Sequence, residues 1–515
     1  MDGTNVICGF RVRVGSPGAR PRPALIRFAS QGREVPVLDG RGPMWTGVAV
    51  SLGTAPTVVA ADRVRLLLAG EIYNRDRVAA ALGDRALEFG TDADLVLAAW
   101  AHWGVSAFRM FNGRFAALLD DQDSGVVVVA TDHAGTVPLW VRADVDALDV
   151  ATEIKTLVGA GPGGRRLAGA EHQPDLPGVH RVPAGTALVI RGVGSGPVVA
   201  EPVRTWTPPL SRTLPDEDTA VSLVGTRLAE AVRTRLRGAA TPTVVLSGGI
   251  DSSGVAAHAV ANAEVVHSIS MGTDVSDEFA AAAAVARHLG TDHRELVVPG
   301  ADLVRELPWA VWAAETTDHT ILEYLLPLVA LYRRLGGGPR RVLTGYGADI
   351  PLGGMHRLTT HLAALDGVIA GDMATFDGLN EMSPVLSGVA GIWSTHPYWD
   401  RDVLDVLVSL EPGLKRRHGR DKWVLRQALS GLLPEETVRR PKLGIHEGSG
   451  TTSQWTAELL AVGVPADRLD RTKRQMTRRI HELVVLGGEH PDDVSFDEVL
   501  LSTELDTRSG KRAVS

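Results

Sequence analysis

The sequence predicts two unlike folded units in one chain of 515 residues: a mixed α+β unit over 1–205, then, over 218–515, an α/β unit with a doubly wound parallel sheet and a helical C-terminal part. Three observations predict them. Up to about Arg204 the chain carries short β-branched runs separated by Gly, Pro and Asp, with few helical patterns. Between Glu201 and Asp218 the prolines Pro202, Pro208, Pro209 and Pro215 gather with polar residues, which suits neither regular element and places a linker at 206–217. From Thr219 onward strand and helix patterns alternate, and such alternation implies parallel strands joined by crossover helices.

Taken in order, Val126 to Ala130, Ala187 to Ile190 and Val198 to Val203 read as strands of the first unit. Two helical patterns interrupt them, Arg75 to Leu82 and Asp92 to Trp103, the second with Thr91 placed to cap it. The second unit opens with a helix near Thr219, whose apolar residues Val221, Val224, Leu228 and Val232 fall at helical spacing. A strand at Val244 to Leu246 follows, then helix 253–263, strand 265–270, helix 277–289, strand 294–298, helix 317–335 and strand 341–344. From about Leu352 the pattern is mostly helical.

Composition narrows the function. A formal net charge of −8 argues against general affinity for nucleic acid or membrane surfaces, which are anionic, so small molecules are the expected partners. A single cysteine, Cys8, excludes an internal disulfide framework and any cysteine-based zinc cluster. No apolar run is long enough to span a bilayer, and Met1 to Asn5 lacks the basic region of a signal peptide, so a cytoplasmic enzyme is expected.

The chemistry centres on Leu246-Ser247-Gly248-Gly249-Ile250-Asp251-Ser252-Ser253. Adjacent glycines let backbone N–H groups approach an anion, and Ser247, Ser252 and Ser253 add hydroxyl donors at the positive end of the next helix. No Gly-Lys-Ser/Thr follows, so the machinery of γ-phosphoryl transfer is missing and cleavage between the α and β phosphates is expected. Ser270-Met271-Gly272-Thr273 and Thr344-Gly345-Tyr346-Gly347-Ala348-Asp349 fall at the ends of other predicted strands, where small residues let adenine and ribose lie against backbone. Asp251 and Asp349 can meet over a triphosphate, and two carboxylates plus phosphate suit magnesium, although either residue could instead cap a helix. The basic run Lys415 to Lys422 reads either as a solvated helix face or as a contact with the nucleotide's phosphates.

The Ser-Gly-Gly-x-Asp-Ser order resembles the loop of the N-type ATP pyrophosphatases, the group that holds the asparagine, NAD and GMP synthetases and the β-lactam synthetases. A second resemblance covers most of the N-terminal unit: Arg41 to Gly47, Gly70-Glu71-Ile72-Tyr73-Asn74, Asn112-Gly113-Arg114-Phe115-Ala116 and Asp132-His133-Ala134-Gly135 are similar to the glutaminase half of asparagine synthetases. It implies an Ntn-hydrolase-like αββα sandwich of the class II glutamine amidotransferase type. That chemistry needs an N-terminal cysteine, and seven residues precede Cys8. Ala69 stands where the family has an oxyanion-hole asparagine, and Met44 replaces an aspartate, so a scaffold without ammonia production is expected.

From Gly345 to about Gly450 the strings Thr344 to His356, Asp372 to Pro384 and Arg440-Pro441-Lys442-Leu443-Gly444 resemble the β-lactam synthetases. The resemblance implies ATP and Mg2+ as cofactors, with Asp251 and Asp349 as metal ligands and Tyr346, Glu381 and Lys442 as catalytic residues. Nucleotide contacts fall on Leu246, Ser247, Gly248, Gly249, Asp251, Ser252, Ser253, Ser270, Met271, Gly345 and Lys422, and substrate contacts on Tyr346, Gly347, Asp349, Asp372 and Glu381, with Asp377 a further candidate for a guanidinium. The implied reaction closes a monocyclic β-lactam from a β-amino acid, N2-(2-carboxyethyl)arginine to deoxyguanidinoproclavaminate, through an acyl-adenylate, with a homodimer as the candidate assembly. A carbapenam synthetase-like enzyme acting on a carboxymethylproline, a glutamine-dependent amidotransferase and a noncatalytic binding protein are the alternatives.

Overall fold

The computed structural model describes residues 5–15, 28–40, 43–55, 57–83, 89–159, 164–173, 176–209, 212–213, 216–239, 241–338, 340–354, 361–374, 383–441, 444 and 448–509. In the N-terminal half thirteen strands form one hydrogen-bonded network, in which the strands Val6–Gly15 and Val64–Ile72 meet through a single parallel pair, Ile7 with Ala69. Two layers result, because the strand Gly113–Asp121 alternates its faces. Ala116 and Leu118 join Phe10, Val12 and Trp45 in one apolar cluster, whereas Ala117 and Leu119 join Leu95, Val96 and Trp100 of the helix Asp92–Trp103 in another. Thr91 caps that helix as expected: its hydroxyl accepts from Asp94 N while the Asp94 carboxylate accepts from Thr91 N. The second helical layer implied by the resemblance is not supplied by this half among the described residues. Trp140, Ala151 and Ile154 instead share a core with the helices Leu307–Ala314 and His319–Arg334 of the other half.

The C-terminal half is organised on five parallel strands, in the spatial order Asp292–Val298, His267–Thr273, Thr243–Val245, Arg341–Leu343, Trp393–Thr395. Helices cover both faces. Val244 and Leu343 lie in a core with the helices Glu217–Arg235 and Ile250–Val260, while Ile269 and Val342 lie in one with Leu307–Ala314 and His319–Arg334. The chain winds outward from Thr243–Val245 to one edge and then from Arg341–Leu343 to the other, so the switch in strand order falls between these two, where a crevice opens at their carboxyl ends.

Beyond Leu352 the described residues are mostly helical, as expected, but the sequence missed Trp393–Thr395, the fifth strand, too short and too buried for its periodicity to differ from a helix segment. Two helices, Gly300–Val304 and Leu307–Ala314, lie before the helix predicted at 317. The basic run is not one solvated helix face: Lys415 ends the short helix Pro412–Lys415, Arg416–Arg417 pairs with Arg420–Asp421 as a hairpin whose tip, Arg417 to Gly419, is exposed, and both lysines, Lys415 and Lys422, are buried.

Candidate active site

The nucleotide loop leaves the central strand with Leu246, whose side chain is buried and whose N–H donates to Ile269 O at 2.8 Å, so it serves the site through its backbone. Gly248 adopts a φ of +74°, and a Cβ there would lie 2.5 Å from the carbonyl carbon of Ala281. Conformation and space therefore both demand glycine. The turn is knotted by serines: Ser252 Oγ accepts from Ser247 N at 3.1 Å and lies 3.1 Å from Ser247 Oγ, which accepts from Gly249 N at 3.3 Å. Gly249 caps the helix Ile250–Val260 without a side-chain bond, so the first-turn amides lack that partner and suit an anion. Ser253, expected as a donor, is fully buried, its hydroxyl turned into the protein.

The loop after Arg341–Leu343 lies against this turn; a Cβ on Gly345 would sit 2.3 Å from Ser252 N. Asp349 opens the short helix Asp349–Leu352. Its carboxylate and that of Asp251 meet at one point, the ammonium of Lys422, which is 2.7 Å from Asp349 Oδ1 and also bonded to Asp251 Oδ2. Burial opposes the charge on Lys422, yet the two carboxylates outweigh it and hold the ammonium above the ordinary lysine range. Lys422 was expected on the nucleotide; here it bridges the acidic pair. Tyr398 donates its hydroxyl to Asp251 O at 3.2 Å, fixing the helix start from behind.

Two oxygen-donor side chains converging on a cation at a strand end fit a hard divalent ion, whose other ligands would be phosphate oxygens and water. No cluster of three or more His, Cys, Asp or Glu side chains suited to a metal occurs among the described residues.

Tyr346 is half-buried, its N–H bonded to Thr344 Oγ1 at 3.2 Å and its ring set edge-on to Trp399 at 6.1 Å. Gly347, at φ +98°, leaves space for that indole: a Cβ would come within 2.4 Å of it. Ser270 and Met271 lie on the neighbouring strand His267–Thr273, with Ser270 Oγ 3.3 Å from His293 Nε2 and Met271 packed on the apolar core. Asp372 is half-buried on the last turn of the helix Leu362–Ala374. Glu381, Asp377 and Lys442 lie outside the described residues. The structure thus joins Asp251, Asp349, Lys422, Gly345 and the serine turn in one crevice. Sequence reasoning missed His396, Tyr398 and Trp399, although a run of His-Pro-Tyr-Trp before Asp400 is unusual in a chain with 5% aromatic residues.

Cys8 lies inside the strand Val6–Gly15, and burial, then the charge of Glu153, pushes its thiol up to about 12. Such a thiol is not a nucleophile near neutral pH. It borders a cavity of about 280 Å³ in the seam between the halves, whose lining includes none of the nucleotide-loop residues. Among the charged groups there, Lys155 Nζ lies 2.8 Å from both Glu153 and Glu315.

The chain matches the family model "Asparagine synthase" over residues 223–370 and 385–484, and "Glutamine amidotransferase domain" over residues 46–159. It is 54% identical over 464 residues to the carboxyethyl-arginine beta-lactam-synthase of Streptomyces clavuligerus, covering 90% of this chain and 88% of that one. The chain belongs to the β-lactam synthetase family. It is an ATP-dependent ligase with the two-domain asparagine synthetase-like architecture. Likeness to the asparagine synthetases is weaker: 26% identity to asparagine synthetase B of Escherichia coli (strain K12), over 84% of this chain and 82% of the other, and 24% to that of Triphysaria versicolor, over 82% and 76%.

Proposed function

We propose that this protein closes the β-lactam ring of N2-(2-carboxyethyl)arginine, giving deoxyguanidinoproclavaminate with release of AMP and pyrophosphate, in a cytoplasmic clavulanic acid-type pathway. The observation that carries the reading is the convergence of Asp251 and Asp349 on one cation at the switch point, with Tyr346 on the adjoining loop.

In the first step the substrate carboxylate attacks the α-phosphorus; the α–β phosphoanhydride breaks and pyrophosphate leaves. The amides of the serine turn hold the departing oxygens, and Asp251 and Asp349 would hold magnesium, which offsets phosphate charge. When nucleotide and metal arrive, the ammonium of Lys422 exchanges its carboxylates for phosphate oxygens within the same space. In the second step the secondary amine attacks the acyl carbon, the C–N bond forms and the C–O bond to AMP breaks. The amine proton passes to the Tyr346 oxygen as the phenol's own proton passes to the carboxylate of Glu381, the partner without which a phenol is too weak a base. Lys442 offsets charge on the tetrahedral intermediate and on AMP, and Gly347 with Asp372 borders the substrate. The N-terminal unit, 1–205, serves as scaffold without glutaminase chemistry, joined through 206–217 to the synthetase unit, 218–515.

The deciding experiment incubates the protein with ATP, Mg2+ and N2-(2-carboxyethyl)arginine, without glutamine. Stoichiometric pyrophosphate and a product lighter than substrate by one water support the reading. Turnover only with a carboxymethylproline would move the substrate, and glutamine-dependent amide formation would remove lactam closure.

A further inference from the structure

Behind Tyr346 lies a segment, Trp393 to Arg401, that neither the motifs nor the proposed reaction uses. Its strand, Trp393–Thr395, runs parallel to Arg341–Leu343, the strand that delivers Tyr346. His396 follows it, fully enclosed, with Nδ1 2.7 Å from Thr344 Oγ1 and Nε2 3.3 Å from Ser394 Oγ. Thr344 Oγ1 is the atom that accepts the Tyr346 N–H. The imidazole ring also lies 6.3 Å from the Tyr346 ring and 5.2 Å from the Trp399 ring, closing an aromatic triangle. Burial, then the charges of Arg114 and Arg235, holds the imidazole well below its ordinary range, so it is neutral, with one donor and one acceptor for its two hydroxyl neighbours.

The segment is clamped by the half that lacks its own chemistry. Arg114 stacks on Trp393 at 3.7 Å and donates to Ser394 O. Tyr73 Oη lies 3.2 Å from Thr395 Oγ1, and His133 Nε2 lies 2.7 Å from Trp399 O. Asn112 donates to Asp400 at 2.8 Å and accepts from Arg401 N at 3.1 Å. A support held at this many points is well fixed, and what it presents to the Tyr346 ring is the buried pair His396 and Trp399.

We propose that His396 is a positioning residue for ring closure: through Thr344 Oγ1 it fixes the backbone of Tyr346, and through its ring it fixes the direction of the phenol. The inference rests on the lactam reading above. It concerns only the second step, because His396 has no contact with the serine turn or with Asp251 and Asp349 among the contacts described. A misdirected phenol leaves the acyl-adenylate formed and its amine protonated, and water then takes the acyl group. The acyl C–O bond to AMP breaks as before, but a carboxylate forms in place of the amide.

The test uses the full-length protein and three variants. His396→Phe keeps a ring and removes both nitrogens, His396→Asn keeps an amide near Nδ1, and His396→Gln carries its amide beyond it. Substrate-dependent ATP–pyrophosphate exchange reads adenylation, and the ratio of AMP to lactam reads the fate of the intermediate. In His396→Phe we expect exchange within about threefold of wild type, lactam formation down by about tenfold to a hundredfold, and AMP exceeding lactam. His396→Asn should recover more of the lactam rate than His396→Gln. The chain has five tyrosines, so 4-13C-tyrosine labelling identifies Tyr346 as the signal lost in Tyr346→Phe. That signal, with its titration, should shift in His396→Phe and return toward wild type in His396→Asn. Equal loss of exchange and lactam, an AMP-to-lactam ratio held at one, or an unmoved Tyr346 signal would each overturn the proposal. Wild-type protein without substrate-dependent exchange would instead remove the adenylation reading, and this inference with it.

Discussion

In the N-terminal half Glu71 pairs with Arg341 across the seam, Oε2 to Nη1 at 3.0 Å, and accepts the Trp393 indole N–H at 3.0 Å; in the C-terminal half Asp251 and Asp349 share the single ammonium of Lys422. Both arrangements bury acid against base. In the first, each partner is anchored on a strand and the carboxylate is matched by a fork and an indole, so nothing is left for a ligand to claim. In the second, two carboxylates meet the long, flexible side chain of a lysine, at a strand end with side-chain exposures of 18% and 24%. The comparison teaches how differently the two acid-base contacts are built: the Glu71 carboxylate is matched by a fork and an indole that are both fixed on strands, whereas the partly exposed carboxylates of Asp251 and Asp349 meet an ammonium on a flexible stem.

The largest effect expected is at the flexible pair. Asp349→Asn should lower pyrophosphate release by about a hundredfold to a thousandfold while the protein stays folded. A drop below tenfold would mean that the acidic pair is structural after all. Tyr346→Phe should lower lactam formation by about a hundredfold but leave ATP–pyrophosphate exchange within a few fold, which separates the second step from the first.

At the rigid pair the expected loss is stability. Glu71→Gln leaves Arg341 buried without its counter-charge, a change that typically costs about 3–5 kcal/mol, read as a fall in denaturant midpoint. Burial by itself would raise the Glu71 carboxyl, but Arg341 and the Trp393 N–H outweigh it and hold it below the ordinary range. Its contribution is therefore present above the unfolded-state value of about 4.3 and is lost as pH falls through the lower folded value. Wild type should lose stability in that acid window more steeply than Glu71→Gln.

Lys415 offers an intermediate case. It is buried with its ammonium donating to the Val408 carbonyl at 3.2 Å, and burial, then Arg212, outweighs Asp366 and Glu411 and lowers it to about 7. Below pH 7 both states are charged and the burial penalty is full; between about 7 and 10.4 only the unfolded chain holds the proton, so stability rises with pH. Lys415→Met should be more stable than wild type at pH 7, with the gain shrinking toward pH 10. The smallest effect belongs to Cys8. Cys8→Ala should leave pyrophosphate release unchanged and cost about 1 kcal/mol, and native Cys8, with its thiol near 12, should resist iodoacetamide at pH 8 until the chain is unfolded.

Much of this is legible in the order of residues. Strand and helix alternation from Thr219 to Leu343 reports directly on parallel crossover topology, and the doubled glycine with its serines marks a turn that no other residue can make, as the Gly248 geometry bears out. The Asp92–Trp103 helix is equally plain, because its cap and its apolar spacing are both local. Ala69, the residue on which the expectation of an inactive first half rested, sits fully buried within the strand Val64–Ile72.

What only the tertiary structure decided depends on atoms far apart in sequence. Lys415 and Lys422 read as part of one basic run, a solvated face or a phosphate contact, yet burial and two distant aspartates give them opposite fates, one pushed down by the apolar interior and one held up by Asp251 and Asp349. The fifth strand and His396 are invisible in the sequence because three buried residues carry no periodicity, and their meaning comes from Arg114, Tyr73 and Asn112, nearly three hundred positions away or more. Sequence by itself determined the alternation of strand and helix up to Leu343 and the glycine-serine turn, since backbone conformation and apolar spacing are encoded over a few residues. Which charges face each other, and which half holds Tyr346 in place, was decided by packing alone, because electrostatic and aromatic contacts act through space and leave no local pattern.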